Sequence, residues 1–174
     1  MSGHDFKKGR ETMSEGENIA ALLEEACFGE PGRSGIAWHG ESVSRIMQDV
    51  DVSLAARKLP GASHSIWEIL LHIIQWDEIC VRRLNGEVIN MTTGDPGDWP
   101  DLPEKLDDDN WRQVLARLKR AQRAMIDSVR NMSENELARR VPGTSWNAYL
   151  MLHGTLHHDL HHAGQISVLK RCKL

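Results

Sequence analysis

Leu156-His157-His158-Asp159-Leu160-His161-His162-Ala163-Gly164-Gln165 carries four histidines within six positions, and its conformation decides how the rest of the chain is read. After Pro142-Gly143 the pattern predicts a long helix from about Ser145 to Lys170, with Lys170, Arg171 and Lys173 at the end that favours cations. At roughly 100° per residue, Ala148, Met151, Ile166 and Leu169 share one sector, extended by Leu152, Leu156 and Ala163. His162 falls within that sector and His158 at its edge. The two are one turn apart, so their imidazoles project together with room for a divalent metal between them. His153, His157 and His161 form a separate stripe about 100° away, expected to face solvent or a second subunit. Asp159, also about 100° round from His158, goes with the exposed side.

A third ligand must come from elsewhere, and the segment Ile66 to Leu84 offers one. Pro60-Gly61-Ala62-Ser63 punctuates the chain before it, and Ser65 with Glu68 has the form of a capping box. Ile66, Ile69, Leu70, Ile73, Trp76, Cys80, Val81 and Leu84 make a broad apolar helical face, with His72 at its border. Glu68, one turn before His72, is a candidate to orient that ring, although capping alone accounts for it. Asp77 falls near the middle of the apolar face, where an unpaired carboxylate is costly, so a partner is expected.

The remaining segments complete an all-α chain. Ile19, Leu22, Leu23 and Ala26 give helical spacing from Ser14 until Gly29-Glu30-Pro31-Gly32 ends it, and residues 1–13 read as a loose tail before a single domain over 14–174. Shorter helical segments are expected at Ser42 to Val50 and Leu54 to Lys58. Asp107-Asp108-Asp109 caps a third long helix carrying Trp111, Val114, Leu118, Met125 and Val129, whose basic residues fall mostly on its solvated side. Between the second and third helices, Gly86 to Leu106 is rich in turn residues, and Trp99 gives it something to pack with. No segment reads as a strand. A four-helix bundle with short extra helices in the connections is the economical architecture.

The composition narrows function. A chain of 174 residues with 26% charged and 40% hydrophobic residues is an ordinary globular one. A net charge of −4 argues against nucleic acid as a partner. No apolar run approaches the roughly 20 residues of a membrane helix, and no signal segment follows the N-terminus. Three scattered cysteines form neither a disulfide framework nor a thiolate zinc site, which fits the cytoplasm. Three inward histidines from two helices would leave coordination positions for water or substrate, as catalytic sites do. Each histidine could instead be satisfied by a hydrogen bond at the edge of the core. Imidazole donors suit zinc, nickel, copper and iron alike.

Ala37-Trp38-His39-Gly40, the run Pro60 to Ile73, Asp98-Trp99-Pro100 and His158-Asp159-Leu160-His161-His162-Ala163-Gly164-Gln165-Ile166 together resemble the DinB/YfiT-like superfamily of metal-binding bacterial proteins. The resemblance spans Trp38 to Ile166 and implies an up-down-down-up bundle, often homodimeric. It implies one divalent ion, zinc or nickel foremost and iron or manganese as alternatives, on His72, His158 and His162. His161 stands where the family commonly has tyrosine, placing an extra imidazole near the site. Members of known activity include thiol-dependent S-transferases and a thiol-dependent isomerase. The expectation is therefore a metal-dependent enzyme acting on a small molecule through a water or low-molecular-weight thiol, of S-transferase or hydrolase type. The alternative is a non-enzymatic metal-binding protein of the stress response.

Overall fold

Helix boundaries follow from local capping chemistry. The computed structural model describes residues 13–29 and 36–172, so the expected tail up to residue 12, the Glu30-Pro31-Gly32 punctuation and Lys173 lie outside the described residues. Helix α1 (Glu15–Phe28) opens on Ser14, whose side chain accepts from Glu17 N while the Glu17 carboxylate accepts from Ser14 N. Ser65 and Glu68 do the same for α4 (Ile66–Leu84). Asp107 caps α5 (Asp108–Arg130), and Asn147 caps α7 (Ala148–Arg171) a few residues after the expected start at Ser145. Short helices α2 (Val43–Met47) and α3 (Val52–Ala56) precede α4, and α6 (Glu134–Ala138) links α5 to α7. A two-residue antiparallel ladder pairs β1 (Ile36–Ala37) with β2 (Gly40–Glu41), a small exception to the expectation of no strand.

Side-chain contacts fix the directions of the four long helices. Trp67 and Trp111 lie 4.9 Å apart near the starts of α4 and α5, and Arg117 of α5 donates twice to Glu78 farther along α4. These two helices are therefore parallel, and the connection 85–107 returns along the length of the bundle. Glu24 of α1 accepts from Arg123 and Arg130, and Gly16 meets Val129 and Met132 at the far end of α5, so α1 runs antiparallel to α5. Helix α7 is antiparallel to α4, since His72 meets His158 while Cys80, farther along α4, meets Thr155, earlier in α7. The order is up-down-down-up. The α5 arginines read as solvated thus partly reach across to acidic residues of α4 and α1, as half-exposed pairs worth little individually.

Apolar residues form two clusters. One gathers α2, α3, the first half of α4, the start of α5 and the end of α7 around the fully buried Trp67, Ile73 and Ile166. The other gathers α1, the ends of α4 and α5 and the start of α7 around Leu23, Met125 and Leu152. His72, Asp77, Asp159 and His162 are buried polar residues of the α4–α7 contact. Among the described residues no helix is long and apolar enough to cross a membrane.

Candidate metal centre

His72 on α4 and His158 and His162 on α7 come together, each offering one nitrogen, with all three nitrogens within 4.8 Å of one another. His72 and His162 are buried, and the His158 side chain is 25% exposed. Every Nδ1 faces an acceptor. His72 Nδ1 donates to the Asp98 backbone oxygen at 2.8 Å, His158 Nδ1 to Asp159 Oδ1 at 3.3 Å, and His162 Nδ1 to Gln165 Oε1 at 2.8 Å. A neutral imidazole that spends its proton at Nδ1 keeps a bare lone pair at Nε2. The Nε2 atoms of His72 and His158 stand 3.0 Å apart, acceptor facing acceptor. Burial pulls all three pKa values down, to about 4 for His158 and for His162, so protons do not fill the gap near neutral pH. An electron-rich pocket of this kind calls for a cation, and three imidazole nitrogens with ring orientations held by outer acceptors suit a divalent metal.

The connection between α4 and α5 supplies part of that frame. Gly94 and Gly97, both with φ near 89°, let the chain turn back so that Asp98 is buried against α4. There its backbone oxygen accepts from His72 Nδ1, Oδ1 accepts from Trp76 Nε1 at 2.8 Å, and Oδ2 accepts from Gly94 N at 2.9 Å. Trp99 then slides between two imidazoles, its ring 4.0 Å from His72 and 3.5 Å from His64, both nearly parallel. The residues 94–99 thus clamp His72 from outside the bundle. Glu68 does not touch His72: its carboxylate is occupied by Ser65 N, with Lys58 and His64 nearby. His161 is exposed and outside the trio. Its Nε2 accepts from Gln165 Nε2 at 3.1 Å, so it buttresses the amide that orients His162.

Asp159 requires a correction, because it is 1% exposed rather than on the outer side. It continues the stripe Leu152, Leu156, Ala163 and Ile166 at spacings of four and three, and so faces the bundle interior. Helix α7 is covered by α1, α2, α4 and α6, which makes its buried arc wider than one apolar stripe. The Asp159 carboxyl meets that of Asp77, the partner expected for the latter on its apolar face. No N–H or O–H from elsewhere among the described residues reaches either oxygen of Asp77 or Asp159 Oδ2. Burial raises both pKa values, and the neighbouring Asp159 charge raises that of Asp77 further. A proton held between the two carboxyls satisfies oxygens that nothing else reaches, and Asp159 Oδ1 in turn accepts from His158 Nδ1.

A model of the DinB superfamily matches residues 36–166, a span that contains His72, His158 and His162. Neither a curated protein nor a solved structure matches the chain. With an antiparallel α4–α7 pair presenting the histidines and well over half of its length matched, the chain belongs to the DinB superfamily.

Proposed function

We propose that His72, His158 and His162 hold one divalent ion, zinc or nickel in preference to iron or manganese, and that the protein is a metal-dependent enzyme of thiol S-transferase or hydrolase type. The observation that carries this reading is the convergence of Nε2 lone pairs whose rings have already committed their Nδ1 protons to Asp98, Asp159 and Gln165. An ion bound there supplies a Lewis acid able to lower the pKa of a water or small thiol at neutral pH. The chain's own residues do the rest. The Asp98–Trp99 clamp and the buried Asp77–Asp159 pair hold the imidazoles in register, and Trp99 covers the His72 face against water. A cavity of about 460 Å³ runs from His158 between α4 and α7, large enough for a small-molecule substrate beside the histidines. Cys80 lines it, but burial pushes its thiol up to about 12, so the nucleophile is not this cysteine.

Turnover separates this reading from a metal-binding protein without activity. Metal-loaded protein should accelerate addition of a low-molecular-weight thiol to a small electrophile, or hydrolysis of an activated ester. His162→Gln should reduce that rate in proportion to lost metal. Rates equal to buffer, with full metal content, would count for the non-enzymatic alternative.

A further inference from the structure

The cavity beside His158 holds one feature that the metal reading leaves unused. Its lining includes Trp76, Trp146, Leu150, Met151 and Thr155, and to this largely apolar wall Arg83 adds the one fixed positive charge. Arg83 is 4% exposed. Its Nη2 donates to the backbone oxygens of Ile89 and Met91 at 2.7 and 2.6 Å, which ties down the start of the long connection. Its Nε is sealed from solvent without a partner, and among the described residues no carboxylate lies within 4.0 Å of the guanidinium. The flanking Arg82 takes Glu87 instead. A buried cation whose hydrogen bonds go to neutral carbonyls and whose face meets an indole still lacks a counter-charge, which is costly because arginine keeps its charge and burial removes its hydration.

We propose that this cavity binds a small molecule with an apolar body and a single carboxylate, the carboxylate meeting Arg83. One positive charge stands in an otherwise uncharged wall, so a monoanion is matched and a dianion is not. Trp76 neighbours both groups: its ring lies 5.9 Å from the Arg83 guanidinium carbon and 6.2 Å from the His158 ring. Its indole is fixed by the bond to Asp98 Oδ1, which makes it a rigid floor for an aromatic or aliphatic body. Trp146 and Leu150, about half exposed, border the same space and gain cover from such a ligand. Charge at the Arg83 end places the other end of the molecule toward His158. That orientation rests on the histidine trio being the reactive centre, whereas the carboxylate preference does not.

The test compares 4-phenylbutanoate with 4-phenylbutanamide, which share a body and differ in charge. Binding to the full chain is followed by calorimetry and by tryptophan fluorescence, both after metal loading and after chelation. The acid should bind about tenfold to a hundredfold tighter than the amide in both preparations, as a charge-assisted hydrogen bond to buried arginine provides. Arg83→Gln should bring the two ligands to within about twofold of each other, and Arg83→Lys should retain most of the preference. Equal binding of acid and amide by the wild type, or no binding of either at millimolar concentration, overturns the proposal. So does a preference that survives Arg83→Gln, or one that vanishes on chelation and therefore belongs to the metal. The wild-type comparison and Arg83→Lys decide the matter even where Arg83→Gln does not fold. A protein that retains no metal but still prefers the acid upholds the cavity inference while refuting the metal reading.

Discussion

Acidifying the metal-free protein should cost it stability through His158 and His162. Burial holds both imidazole pKa values down at about 4, whereas an unfolded chain titrates histidine near 6.5. The unfolded state therefore takes up protons first. The stability contributed by the neutral rings is complete above about pH 6.5 and is lost as pH falls through about 4. At about 1.36 kcal/mol per pH unit, that interval is worth roughly 3 kcal/mol for a fully buried histidine. His162 is buried and should show nearly all of it, while solvent trims the share of His158, whose side chain is 25% exposed. The two rings lie 4.4 Å apart, so a proton on one opposes a proton on the other, and the effects do not simply add. Urea unfolding in chelator from pH 7.5 to 4.5, for wild type and His162→Gln, isolates the contribution. Glutamine keeps a polar atom near the Nε2 position without titrating. The wild type should lose ground to the variant as pH falls, by an amount approaching 3 kcal/mol near the lower end. Stability curves that stay parallel would refute the reasoning.

Three further outcomes follow from separate parts of the molecule. Asp159 acts in the opposite direction from the histidines, because burial raises its carboxyl pKa to about 8, so that it stabilises the fold below about pH 4 and loses that contribution as pH rises through about 8; Asp77→Asn gives Asp159 an N–H donor that needs no proton, and thermal melts should show a flatter decline over that range. Gly16→Ala should destabilise, since a Cβ there meets the backbone oxygens of Met132 and Val129 at 2.6 and 2.7 Å. The overpacking cost of about 1–3 kcal/mol exceeds the roughly 1 kcal/mol gained in helix propensity, so a raised urea midpoint would contradict the close α1–α5 approach. Gln165→Leu removes the acceptor for His162 Nδ1 and should weaken metal binding by about tenfold to a hundredfold, with Gln165→Glu preserving it. Competition with a fluorescent chelator reads both, and equal affinities would show that the ring needs no such partner.

Much of the fold was legible because its determinants are local. The Ser65–Glu68 box and the apolar spacing predict α4 at the bounds Ile66–Leu84, and the α7 wheel turns His158 and His162 toward α4. Asp159 is hard to place for a physical reason: apolar residues alone define the buried stripe on a helical wheel, and a carboxylate on that stripe reads as solvent-facing although it is buried. The spacing Leu152, Leu156, Asp159, Ala163, Ile166 was present in the sequence and could have found it. The Asp98 carbonyl could not be found in that way, since every residue carries one and only the returning connection brings this one to His72. Arg83 looks in sequence like any cation in the last turn of a helix, and its isolation from carboxylates is a property of the packed bundle. Helix α6 and the β1–β2 ladder are too short for periodicity to register.

The convergence of three imidazole nitrogens is tested most directly by elemental analysis of the native protein, purified without chelator from metal-supplemented medium, beside His72→Ala prepared identically. The wild-type chain should carry about one divalent ion and the variant should lose most of it, with the helical circular-dichroism spectrum unchanged. A wild type free of metal, or a His72→Ala protein holding as much metal as the wild type, would contradict the three-histidine site.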